Sequence, residues 1–165
     1  MKVRDLMTTD VKSCSPETNL AAAAALMRTG DCGALPVVAG IIIGMITDRD
    51  ICLAASKKDH HVSRTKVSEV ISGEVYDCAP SDEVKDALKI MRKKKVRRLP
   101  VVNGAGALKG ILSINDILLH ARKAKGKKSQ QLSYKDVART FQAICAPRIP
   151  KRAKSQPGKK AAAVA

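Results

Sequence analysis

Residues 35–50 read LPVVAGIIIGMITDRD, and residues 99–116 read LPVVNGAGALKGILSIND. These two stretches are one pattern written twice, and that decides the fold. Each opens on Leu-Pro-Val-Val, turns at a glycine (Gly40; Gly104) and continues as a second apolar run. Each then ends in Gly-apolar-apolar-Ser/Thr-x-x-Asp, from Gly44 to Asp50 and from Gly110 to Asp116. Apolar, β-branched runs bounded by glycine are strand signals. A Ser or Thr with an acid three residues later marks a helix start.

Working outward, the repeat extends over most of the chain. At a shift of 64, Val3 aligns with Val67, Val11 with Val75, Cys14 with Cys78, Pro16 with Pro80, Ala23 with Ala87 and Met27-Arg28 with Met91-Arg92. A two-residue insertion in the second hairpin changes the shift to 66. Asp50-Ile51 then aligns with Asp116-Ile117, and Ala55 with Ala121. Each copy predicts a short strand (11–14; 75–78), a helix (20–28; 84–94), two strands (35–38 and 41–46; 99–102 and 108–112) and a second helix from Asp48 or Ile114. Ser81 is the expected N-cap of the helix at 84, whose last turn carries Arg92, Lys93 and Lys94 in accord with the helix dipole. The order is β-α-β-β-α, twice, an α/β (α+β) fold. One such unit is too small to close a core, so the two are expected to pack as a pseudo-symmetric pair. The stretch 103–110 is glycine-rich but joins two strands, so it reads as a hairpin turn rather than a dinucleotide loop.

Composition narrows the function. Hydrophobic residues make up 45% of the 165, and aromatics 2%, so the core is built from Ala, Val, Ile and Leu. The twelve-residue apolar run 35–46 is interrupted by Pro36, Gly40 and Gly44. A membrane-spanning helix needs about 20 apolar residues, so no membrane role is expected. Five cysteines without a CxxC pair argue against a disulfide scaffold or a zinc site, and the expected setting is the cytoplasm. No Ser/His/Asp or Cys/His set suggests nucleophilic catalysis, so no enzyme activity and no required cofactor are expected.

The repeated helix starts carry the candidate chemistry. Thr47 and Ser113 fall at helix N-caps, where a hydroxyl and free backbone N–H groups can receive a phosphate. Asp50 and Asp116 lie one turn on, where a carboxylate can accept both hydroxyls of a ribose. The same pattern also serves as a simple capping box, so both roles stand at this point. Arg49, within the first motif, and Arg97 and Arg98, before the second Leu-Pro, are candidate phosphate partners. The first copy has Gly33-Ala34 in place of Arg97-Arg98, which predicts two unequal clefts.

The repeat, the Leu-Pro-Val-Val strands and the Gly-h-h-Ser/Thr-x-x-Asp ends together resemble the CBS-domain family, a tandem pair of which is called a Bateman module. The resemblance covers about residues 1–122. It implies a regulatory, ligand-sensing module, commonly a homodimer, with clefts between the repeats for adenosyl ligands such as AMP, ADP, ATP or S-adenosylmethionine. By that likeness Asp50 and Asp116 hold ribose, while Thr47 and Ser113 hold phosphate or ribose. Backbone at Val11, Val75, Ala34 and Arg98 lines the adenine slots, and Thr8 and Ser72 touch ligand.

The expected organisation is repeat 1 at 1–58, a linker at 59–66, repeat 2 at 67–122, a basic linker and short amphipathic helix at 123–145, and a disordered basic tail at 146–165. The charge is concentrated at this end. Residues 122–165 hold thirteen Lys/Arg against one acid, out of a net +16. Leu132, Val137, Phe141 and Ile144 form one helical stripe, expected to dock on its own domain or a dimer mate. The rival reading is a nucleic-acid-associated protein, with the tail binding phosphate backbone nonspecifically and the repeats serving as a dimerisation unit.

Overall fold

The computed structural model describes residues 1–57, 61–71, 73–122 and 132–147. Part of the expected linker, Ser72, the basic linker at 123–131 and the tail beyond Pro147 lie outside them. Each repeat contributes one helix, a β-hairpin and a second helix: α1 (Leu20–Thr29), β1 (Ala34–Ala39), β2 (Ile41–Thr47) and α2 (Asp48–Ala55), then α3 (Val84–Lys94), β3 (Arg98–Val102), β4 (Leu108–Ser113) and α4 (Ile114–His120). A further helix, α5 (Tyr134–Cys145), follows. Among the described residues no helix is long and apolar enough to cross a membrane.

The hairpins match in register. Leu35 faces Ile46 and Leu99 faces Leu112, and a bulge falls between Val37 and Val38 in one and between Val101 and Val102 in the other. Gly40 turns the first hairpin at φ 76°. The longer second turn is held by the Asn103 side chain, which accepts from the amides of Ala105 and Ala107, with Gly106 at φ 77°. A hydrogen bond from Ile42 N–H to Gly106 O (3.1 Å) ties the two hairpins together.

The strands expected at 11–14 and 75–78 are corrected: each is reduced to one parallel bridge, Cys14 to Val37 and Cys78 to Val101. Cys14 N–H donates to Pro36 O, and Cys14 O accepts from Val38 N–H; Cys78 repeats this with Pro100 and Val102. Extending either ladder requires an N–H from Pro36 or Pro16, and from Pro100 or Pro80. Proline has none, so pairing stops at one residue. The Ser81 cap is also corrected. The residue before α3 is Glu83, whose side chain makes no capping bond and instead pairs with Lys2 (2.8 Å) and the N-terminal ammonium (3.2 Å).

The two cores exchange their first turns. Val3 and Leu6 are buried among Val84, Leu88, Leu99 and Ile117 of the second repeat, while Val67 is buried with Leu20, Leu35 and Ile46 of the first. Backbone bonds fix both crossings: Val3 N–H to Asp82 O (2.9 Å) and Val67 N–H to Thr18 O (2.8 Å). The second core gains a further layer. Ser133 caps α5 through Asp136, and the helix buries Val137, with Leu132 just before it, while Phe141 and Ile144 pack alongside. At roughly 1.5–3 kcal/mol for a fully buried aliphatic side chain, Leu132 and Val137 make α5 an integral layer of that core.

Candidate functional site

The two motif ends fold alike. Thr47 Oγ1 accepts from Asp50 N–H (3.2 Å), and Asp50 Oδ2 accepts from Thr47 N–H (2.9 Å) and Oγ1–H (2.7 Å). Ser113 and Asp116 repeat this at 3.3, 2.8 and 2.6 Å. Both motifs therefore are capping boxes, and each box engages only Oδ2 of a half-buried aspartate. The boxes set the start of α2 and α4 at the mouth of the hairpins, where Asp48 N–H donates to Gly33 O, Arg49 N–H to Asp48 Oδ1 and Ile114 N–H to Arg97 O, so the helix dipole rather than a row of free N–H groups favours an anion there.

Two cavities flank these helix starts. The first, of about 450 Å³, brings together six of the sequence-predicted residues from distant parts of the chain: Thr8, Val11, Ala34, Arg98, Ser113 and Asp116. Thr8 is fixed there by a reciprocal backbone pair with Ile111 (3.0 and 2.9 Å). Gly110, the motif glycine, makes this crossing possible, since a Cβ on it would stand 2.6 Å from Thr8 O.

The second cavity, of about 340 Å³, gathers Ala34, Thr47, Arg49, Arg97 and Arg98. Ala34 and Arg98 line both, so the two spaces meet at the paired strand starts. Asp50 and Val75 line neither cavity, and Ser72 lies outside the described residues. Over the other motif glycine, Gly44, the neighbour is the side chain of Ile71, whose Cδ1 would sit 2.7 Å from an added Cβ.

The cavities differ in charge. Asp10, Asp31 and Asp116 face Lys12 and Arg98 in the first, whereas Arg49, Lys95, Arg97 and Arg98 face only Asp48 in the second. The contrast is sharpest at one aligned position. Asp31 and Lys95, 64 apart, both take the left-handed conformation just past the first helix of their repeat, at φ 45° and 54°, and each lines one cavity. Such a backbone is uncommon outside glycine and costs on the order of 1 kcal/mol. Sequence reasoning missed both residues. Their signal is a charge reversal at one aligned position, just past a helix end.

Cys14 and Cys78 lie behind this site and take no part in it. Burial raises both thiols, and that of Cys78, with Asp82 and Asp77 adding to the effect, is pushed up to about 12. Thiols so raised are inert packing groups. Among the described residues no group of three or more His, Cys, Asp or Glu side chains stands close enough to hold a metal ion.

A family model described as CBS domain matches residues 3–57 and again residues 67–123. The CBS domain-containing protein YhcV of Bacillus subtilis is 35% identical over 138 residues, covering 82% of this chain and 97% of that protein. The crystal structure of Hypoxic Response Protein I with two coordinated zinc ions superposes with a TM-score of 0.68 at 30% identity, covering 74% of this chain and all of that one. The crystal structure of CBSX2 in complex with AMP has a TM-score of 0.63 at 23% identity, covering 72% of this chain and 93% of that one, a likeness of fold.

Proposed function

The chain belongs to the CBS-domain family, and we propose that within it this protein is a regulatory, non-catalytic module that binds an adenine nucleotide in the Asp116 cleft. One observation carries the reading: a cavity of about 450 Å³ is walled by Thr8, Val11 and Ala34 of the first repeat and by Arg98, Ser113 and Asp116 of the second. The size suits a nucleoside. Asp116 Oδ1 is available to the ribose hydroxyls while Oδ2 keeps the capping box, and the dipole of α4 beside Ser113 favours a phosphate. Phosphates leading away from the ribose cross Arg98 toward the cationic second cavity, where Arg49 and Arg97 act as guanidinium partners. AMP in the structurally similar CBSX2 complex supports the choice of ligand class.

Because the walls come from both repeats, occupancy alters how the repeats pack, and a partner that touches both reads that change. A second copy of the chain is one such partner. Leu53 on α2 and Leu119 on α4 occupy equivalent positions and are 53% and 76% exposed, with Leu118 beside them. A patch repeated by pseudo-symmetry suits an isologous contact. The five free cysteines fit a cytoplasmic setting.

The test is titration calorimetry on the full chain with AMP, ADP, ATP, S-adenosylmethionine and GTP. The full chain is required because cutting after 122 would strip Leu132 and Val137 from the second core. Adenine-specific binding that Asp116→Asn abolishes and a 2′-deoxy ligand weakens by about 1–3 kcal/mol is the expected result. No heat with any of them overturns the reading, and the charge at 122–165 then favours nucleic-acid association.

A further inference from the structure

Lys95 belongs to two structures at once. It lines the cationic cavity beside Arg97 and Arg98, and its Nζ donates to Ala146 O (2.9 Å) and Pro147 O (3.2 Å) at the C-terminal end of α5. At that helix end the C-cap residue Ala146 donates its N–H to Gln142 O (3.0 Å). Between α3 and α5, the hydrogen bond from Arg92 to Thr140 is long, at 3.4 Å. The left-handed backbone at Lys95 is set by the helix cap, where Lys95 N–H and Val96 N–H both donate to Met91 O, and from that settled position the side chain spans the cavity and the α5 end.

We propose that Lys95 couples anion binding in the second cavity to the last turn of α5: a polyphosphate there draws the ammonium away from the two carbonyls and loosens the helix end. The inference rests on the reading of the clefts given above, and extends it to regulation. Two physical points give the direction. The carbonyls of Ala146 and Pro147 are neutral acceptors, whereas a phosphate is an anion and adds a charge–charge attraction to the hydrogen bond that the ammonium donates. The phosphate would also sit among Arg49, Arg97 and Arg98, three further cations that hold it in place of water. Linkage makes the effect reciprocal, so an anchored α5 end weakens anion binding. The output is placed where it can be read, because the chain continuing from Pro147 carries Arg148, Lys151, Arg152, Lys154, Lys159 and Lys160.

The experiment is amide hydrogen exchange of residues 142–147 in the full chain, with inorganic tripolyphosphate and, separately, ATP as probes, alongside calorimetry of both. Tripolyphosphate should speed exchange at the Ala146 amide. Lys95→Gly, which suits the left-handed backbone, and Lys95→Met should raise it by about tenfold without any probe and remove the response, the size expected for losing hydrogen bonds to a charged group. Tripolyphosphate that binds with exchange unchanged or slowed overturns the coupling, as does the absence of tripolyphosphate binding. ATP bound through Asp116 with no tripolyphosphate effect leaves the nucleotide reading standing and removes this one. A tripolyphosphate effect without any nucleotide binding does the reverse.

Discussion

The two repeats have the same backbone and different chemistry. Both present a capping box after a hairpin, and both place a left-handed residue just past their first helix. From that shared frame the edge of the first reads Gly30-Asp31-Cys32-Gly33-Ala34, and that of the second reads Lys94-Lys95-Val96-Arg97-Arg98. One edge is small with a single acid; the other is bulky with four cations. The difference teaches that backbone symmetry fixes where the clefts lie, while a five-residue edge decides what each can hold. The second repeat also carries a layer, α5, with no counterpart in the first among the described residues.

That extra layer supplies the largest expected effect. Val137 is 1% exposed within the second core. Val137→Asp places an unpaired charge there and should lower stability by about 3–5 kcal/mol in urea unfolding. A loss below about 1 kcal/mol would mean that α5 is not part of that core.

The motif glycines separate the repeats next. An added Cβ at Gly110 meets the backbone oxygen of Thr8, whereas at Gly44 it meets the end of the flexible Ile71 side chain. Gly110→Ala should therefore cost about 1–3 kcal/mol and Gly44→Ala less than half as much. Equal losses would show that both crossings are equally tight.

The caps provide a control in which the repeats should agree. Thr47→Ala and Ser113→Ala each remove one hydroxyl from a closed box and should cost about 1 kcal/mol. A clear inequality in chemical denaturation would show that one box is strained.

The smallest effect is with pH. Partial burial acts to raise the Asp136 carboxyl, but its bonds from Ser133, with Lys85 and Arg92 nearby, hold it below its ordinary 3.8. A carboxyl lower in the folded than in the unfolded state stabilises above its unfolded value, and that stability is lost as pH falls through the folded one. Unfolding followed below about pH 5 should show α5 loosening early, and Asp136→Asn should flatten the slope there.

Much of this was legible in the residues, for identifiable reasons. The hairpins and helix starts were, because Leu-Pro-Val-Val, the glycine turn and Ser/Thr-x-x-Asp are local signals repeated at fixed shifts. The one-residue bridges at Cys14 and Cys78 were not, since the limit is set across the pair, by prolines on both partners. The exchanged first turns were hidden by the repeat itself. Val3 and Val67 fit either core equally well on sequence, and only three-dimensional closure decides between them. At the site, Thr8, Val11, Ala34, Arg98, Ser113 and Asp116 meet in one cavity, but Asp50 and Val75 line neither. Symmetry treats Asp50 and Asp116 as equivalent, and the neighbours that distinguish them, Thr8 backbone against Ile71 side chain, are distant in sequence or carry no motif.

The most direct test of the account compares Asp116→Asn with Asp50→Asn in calorimetric titrations of the full chain with ATP. The account predicts one adenine site per chain, abolished by Asp116→Asn and changed less than about threefold by Asp50→Asn, well under the 1.4 kcal/mol of a tenfold change. Two equal sites per chain, or binding that fails with Asp50→Asn and survives Asp116→Asn, would contradict it.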